Sequence, residues 1–142
     1  MTDSWAFWAA LSAGFAAATA VLAKAASSDL DPDFATLIRT GVVLVCLVLL
    51  VTFLGKWQAP ETLSGRAILF LILSGLATGA SWLCYFRALK LGDVSKVAPV
   101  DKLSVVLVAA FAVLFLGERP SAREWAGVAL VAAGVLVLAV KR

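Results

Sequence analysis

Five long apolar blocks alternate with short polar stretches along the 142 residues. The first runs Trp5 to Ala26, with Lys24 near its end. The second runs from about Phe34 to Leu54 and carries Arg39 early. The third, Ala67 to Phe86, has no charge. The fourth, Val97 to Leu116, has Asp101 and Lys102 near its start, and the fifth, Trp125 to Val140, is the shortest. A membrane-crossing helix needs about 20 mostly apolar residues, with a range of about 17–25. Barrel strands would instead alternate apolar and polar positions over about 10 residues. Helices satisfy their own backbone in lipid, so continuous apolar blocks of this length predict helices.

The linkers carry the matching punctuation. Asp31-Pro32 places a capping residue before a proline at the first helical position. The stretch Lys56 to Gly65 contains Pro60 and Ser64, and Gly92-Asp93 follows the third block. Ser121-Ala-Arg-Glu124 fits a capping box opening the last helix. Asp3 is the only charge before the first apolar run, which lacks the basic start of a cleaved signal and is read as a true span. The expectation is an all-α membrane protein, a bundle of five transmembrane helices over about 5–26, 34–54, 67–86, 95–116 and 123–140, forming one domain over 1–142.

Composition agrees. The chain is 63% hydrophobic and 15% charged, against about 45–50% and about 25% in soluble domains. A soluble core of this size could not hide so much apolar surface, and disorder is excluded for the same reason. There is no His, and the two Cys are far apart. Ordinary zinc sites, thioredoxin-like motifs and Ser/His/Asp or Cys/His pairs therefore lack their residues. No phosphate-cradling loop is present. No cofactor, metal site or catalytic residue is expected, and an enzyme is the least favoured reading. The net charge of +3 and pI near 9.1 do not gather on a polar domain, so nucleic acid is not an expected partner. The expected partners are the lipid bilayer and a small-molecule substrate.

Five spans put the two ends on opposite sides. One side receives Lys56, Arg66, Arg119 and Arg123; the other receives Arg87, Lys90, Lys96, Lys141 and Arg142, with Lys24, Arg39 and Lys102 nearer to it but inside the blocks. The basic count favours an N-out, C-in orientation by five to four, or by eight to four with the inner three. The smaller margin is close enough to balance to allow insertion both ways.

Charges inside the blocks are the candidate chemistry, since each costs about 2.5–3.5 kcal/mol at a helix centre. Lys24 and Arg39 can snorkel toward an interface or face a cavity. Asp101 is too short to snorkel far. Pro99, just before it, lacks an N–H and is the candidate helix break. A helix opened there would present carbonyls beside a carboxylate, as in discontinuous helices that line cavities. The alternative is an Asp101 that pairs with Lys102, Arg39 or Lys24 only to neutralise charge. Trp82 and Tyr85, three apart, share a helix face and read either as packing or as an aromatic wall for an organic substrate; Trp8 is a further aromatic of this kind. Trp5, Trp57 and Trp125 sit at span ends as an interfacial belt. Cys46 and Cys84 are expected reduced and buried. Small residues recur at packing spacing: Ala10, Gly14 and Ala18; Gly75 and Gly79; Ala126, Leu130 and Gly134. These stripes fit close packing within the chain or between subunits.

Several segments in order resemble the EamA-type proteins of the drug/metabolite transporter superfamily. Trp82-Leu-Cys-Tyr-Phe-Arg-Ala-Leu89 is similar to the family's third-helix ending. Val97-Ala-Pro-Val100 followed by Asp101-Lys102 is similar to the start of its fourth helix. Leu116-Gly-Glu118, Trp125-Ala-Gly127 and Ala133-Gly134-Val135 are similar to the end of its repeat, and Arg39 to the basic residue early in its second helix. The resemblance spans the whole chain. It implies one five-helix unit of a transporter in which two such units, inverted relative to each other, make ten spans. It further implies a small-molecule transporter (metabolite, amino acid or drug-like) of the plasma or inner membrane, working by alternating access. A lone unit would pair with a copy, parallel or antiparallel, or with a related five-helix unit. Four-helix multidrug relatives use an embedded Glu in the first helix; the first span here holds no acid. Two other readings stand beside transport: a non-transporting regulatory or assembly subunit, and a protein that handles a phosphorylated lipid carrier.

Overall fold

A computed structural model describes residues 4–59 and 62–139. Asp3, Pro60, the Val140 end of the last block, Lys141 and Arg142 lie outside the described residues. Six helices follow in order: α1 (Trp5–Ala26), α2 (Pro32–Phe53), α3 (Gly65–Leu91), α4 (Val94–Asp101), α5 (Ser104–Leu116) and α6 (Ala122–Ala139). No strand occurs among the described residues. With α4 and α5 taken together over Val94–Leu116, five segments are long and apolar enough to cross a membrane.

Local chemistry sets the helix ends. The Asp31 carboxylate accepts from the N–H groups of Asp33 at 2.9 Å and Phe34 at 3.2 Å, and Pro32 opens α2 where its missing N–H costs nothing. At α6, Glu124 Oε2 accepts from the Ser121 N–H at 2.6 Å and the Glu124 N–H donates to the Ser121 hydroxyl oxygen at 3.4 Å, the reciprocal arrangement of a capping box. Gly55, with φ of 61°, ends α2: its N–H reaches the Thr52 carbonyl, and the Lys56 N–H reaches that of Val51. Only glycine adopts this left-handed step at little cost.

Two helix boundaries depart from expectation. The third span does not stop at Phe86 but continues to Leu91. Arg87 and Lys90 are helical because Phe86 and Leu89, one turn apart, are buried at 2% and 0% exposure and carry the packing onward. The fourth span is two helices. It gives way at Lys102 and Leu103, where the N–H groups of Lys102, Leu103, Val105 and Val106 each reach back three residues, all at 3.0 Å. Pro99 stays inside α4, one turn before the break. Its ring removes one backbone donor and crowds the preceding turn, and a tight stretch within a long helix marks a hinge or a site under strain.

The chain divides into two compact units, Val21–Leu91 and Met1–Ala20 with Gly92–Arg142. In the first, α2 packs on α3 around Ala35, Thr36, Phe86 and Leu89. In the second, α4 and α5 both pack on α6, where Val135 is buried. Most large apolar side chains, among them Leu44, Leu71, Phe115 and Leu130, stay exposed. Lipid tails are as apolar as leucine, so a membrane helix gains little by hiding them.

The same physics overturns one expectation and narrows another. Cys46 and Cys84 are free but exposed, not buried. The small-residue stripes are exposed too, and a Cβ built on Gly14, Gly75, Gly79 or Gly134 would meet no neighbouring atom within 4 Å. Among the described residues, close packing within each unit does not use these glycines.

Candidate functional site

The unit Val21–Leu91 gathers charge where α1 ends, α2 begins and α3 ends. The Lys24 Nζ donates to the Leu89 carbonyl at 2.6 Å. That carbonyl belongs to the last turn of α3, where four acceptors have no helical donor and where the helix dipole favours a cation. Ser27, 1% exposed, donates its hydroxyl to the Lys24 carbonyl at 2.9 Å. Lys90 Nζ donates to the Leu30 carbonyl at 3.2 Å, and Arg87 Nη2 donates to both Asp33 oxygens at 3.1 and 2.8 Å. Lys24 is thus anchored to the end of α3. Replacing Lys24 by Met is expected to remove about 1.5–3 kcal/mol, the worth of a hydrogen bond to a charged group. A lower thermal midpoint of the purified protein in detergent, with transport retained, is the outcome that checks it.

Asp33 and Arg87 were not legible as partners in the sequence. A signal existed in the apolar positions Ala88, Leu89 and Leu91, which carry the third helix past Arg87 and bring it alongside the start of α2.

Deeper in this unit, Arg39 meets Trp82. The guanidinium carbon lies 3.3 Å from the centroid of the indole ring. Tyr85 stands edge-on to Trp82 at 5.5 Å, and Phe86 is tilted against it at 6.0 Å. With the Asp33–Arg87 pair as a common level, Arg39 and Trp82 lie about 9 and about 8 Å further along their helices, at a rise of about 1.5 Å per residue. The arginine thus reaches sideways to α3. Among the described residues it makes no hydrogen bond or ion pair. A cation–π contact returns about 0.5–2 kcal/mol, while a charge at a helix centre costs about 2.5–3.5 kcal/mol.

In the other unit, Asp101 closes α4 and Lys102 occupies the break. Their charges lie 3.5 Å apart, with side chains 39% and 55% exposed respectively. Of the partners considered for Asp101, its sequence neighbour is the one it meets. Lys96 pairs with Asp93 at 3.1 Å one turn earlier. No group of three or more His, Cys, Asp or Glu side chains is placed to hold a metal among the described residues.

A five-span helical chain with ionised side chains inside its spans is the plan of a membrane transporter unit. The EamA-like transporter family matches residues 3–140, and the chain belongs to that family. It is 61% identical over 140 residues to an uncharacterized transporter in a cobO 3' region of Sinorhizobium sp, covering 99% of both chains. It is 28% identical over 106 residues to a probable 4-amino-4-deoxy-L-arabinose-phosphoundecaprenol flippase subunit, ArnE, of Yersinia pestis (strain Pestoides F), covering 68% of this chain and 93% of the relative. The ArnE of Yersinia pseudotuberculosis serotype O:3 (strain YPIII) matches to the same extent. No solved structure matches the chain. The protein is a multi-pass membrane protein of a transporter family.

Proposed function

We propose that the chain is half of a small-molecule transporter of the plasma or inner membrane, one five-helix domain that works by alternating access when paired with a second unit. The pair is a homodimer, parallel or antiparallel, or a heterodimer with a related unit. The observation that carries this reading is Arg39, a cation inside a span whose N–H edge finds no acceptor among the described residues. Such a group is stable where it faces a wet chamber. Trp82 and Tyr85 would line the apolar side of that chamber, and Asp101 at its helix break would take a cation or proton, with Lys102 releasing it. Broken helices recur at the binding sites of inverted-repeat transporters. The exposed stripes at Gly75–Gly79 and Gly14 would let a second unit's backbone approach.

Labelling tests the assembly. In a Cys46→Ser, Cys84→Ser background, cysteines at Asp29 and Glu118 fall on opposite sides of a five-span chain. Labelling of each from one face only means a fixed orientation, with the N-terminus outside, and so a parallel pair or a separate partner. Equal labelling of each from both faces means an antiparallel pair. Labelling of both positions from the same single face contradicts the five spans.

A second reading is favoured by the likeness to the ArnE subunits, named for the flipping of 4-amino-4-deoxy-L-arabinose-phosphoundecaprenol. On that reading the chain is a subunit that helps move a phosphorylated lipid carrier. Solute flux in vesicles free of such a lipid favours the first reading, and flux only in its presence favours the second.

A further inference from the structure

We infer that the Arg39–Trp82 stack is a subsite for an oxyanion, a carboxylate or phosphate borne on an apolar body, with Tyr85 beside the apolar part. This deepens the transport reading and rests on it only in that substrate must reach the site.

The geometry leads there in three steps. At 3.3 Å from the ring centroid, the guanidinium lies flat on the indole. An edge-on approach would press its hydrogens into the ring at that distance. The face of the cation is therefore satisfied by Trp82, and its position is fixed by the tilted and edge-on neighbours Phe86 and Tyr85. The N–H groups of a guanidinium lie in its own plane, so a flat stack leaves all five pointing sideways. None meets a described acceptor. A planar fork of donors held in place is the arrangement that binds carboxylate or phosphate through two parallel hydrogen bonds.

Arg66, in the first turn of α3, lies 5.6 Å from the Phe70 centroid, too far for a flat stack, and the other cations near Arg39 are already engaged. Lys24 and Lys90 donate to backbone carbonyls, and Arg87 is held by Asp33. A substrate anion would find Arg39 already oriented, which spares it the cost of ordering a long side chain. The indole behind the cation is also apolar and broad enough to carry an attached ring or alkyl group. The expected preference follows: an aryl or alkyl oxyanion binds, its neutral alcohol binds poorly, and its ammonium analogue is repelled.

Trp82 reports directly. In a protein with Trp5, Trp8, Trp57 and Trp125 replaced by Phe, the remaining indole is titrated with benzoate, phenyl phosphate, benzyl alcohol and benzylamine. The same protein is then placed in bilayer discs of phosphatidylcholine with and without phosphatidic acid. A saturable change in Trp82 emission is expected with the oxyanions. It should weaken at least roughly tenfold in Arg39→Gln, the loss of one charge-assisted pair. Arg39→Lys, which keeps charge without the fork, should fall between. Saturation by the soluble oxyanions indicates a soluble substrate, and a response only to phosphatidic acid indicates a lipid phosphate; both support the subsite. An equal response in Arg39→Gln, an equal response to benzyl alcohol, or no response to any anion overturns it. Should the four-Trp replacement not fold, thermal stabilisation of the native sequence by benzoate, lost in Arg39→Gln, is the parallel measurement. Undiminished solute flux in Arg39→Gln would remove the subsite while leaving the transport reading in place.

Discussion

Asp101→Asn is expected to abolish any coupling of transport to a pH gradient. In proteoliposomes with a trapped pH-sensitive dye, a solute moved by the native protein should shift the internal pH, and the variant should move it without that shift. The break in the fourth span is the reason. Asp101 is the last residue of α4, and the N–H groups around it reach back three residues instead of four. Local carbonyls are therefore less regularly engaged beside a carboxylate that is 39% exposed. Its ion pair is with the adjacent Lys102 at 3.5 Å, both side chains are partly exposed, and exposed pairs contribute about 0–1 kcal/mol. Such a pair is weak enough to exchange its partner for a proton or cation. Asn keeps the shape and removes the negative charge. The competing view, that Asp101 only neutralises Lys102, makes a different forecast. It expects the single variant to be damaged and the double variant Asp101→Asn, Lys102→Met to be restored with coupling intact. Coupling retained in either variant would take Asp101 out of the mechanism.

Gly79→Leu is expected to separate the paired units while leaving the single chain folded. A side chain at Gly79 would meet no neighbouring atom within 4 Å, and the same holds at Gly75 one turn earlier. Within the chain the substitution has room. Between chains, a leucine on a small-xxx-small face would hold the backbones apart, and such faces associate through close backbone approach. Cross-linking and size analysis in mild detergent should show loss of the pair. Circular dichroism should show unchanged helix content, and solute flux should be lost along with the pair. A Gly79→Leu protein that remains paired would move the interface elsewhere, to the Gly14 or Gly134 faces. Loss of helix content would mean that Gly79 packs within its own chain.

Much of this architecture was legible because hydrophobic length is a blunt and reliable signal. The spans follow from block length, and the α2 and α6 starts from Asp31-Pro32 and Ser121–Glu124, where one side chain caps a backbone a few residues away. Less legible was whatever depends on residues distant in sequence. The end of α3 looked like a loop because Arg87 and Lys90 are charged; the helix continues because Phe86 and Leu89 are buried, and Asp33 and the Leu30 carbonyl, 54 and 60 positions away, receive those charges. Arg39 and Trp82 were each noticeable, but no spacing rule joins positions on different helices. The exposure of Cys46 and Cys84 was misjudged by applying soluble-protein packing to a chain whose solvent is lipid. The break near Asp101 was anticipated at Pro99, whereas the chain stays helical for one more turn before yielding. A proline weakens the turn it crowds without dictating which peptide gives way.

The central proposal is that the chain moves solute only when paired with a second five-helix unit. Counting chains in the particle that moves solute tests this most directly. Bilayer vesicles holding on average less than one labelled protein particle each would be scored for both subunit number and flux. Flux confined to vesicles with two chains, or with one chain and a related partner, is the predicted result. Flux from a solitary chain would contradict it.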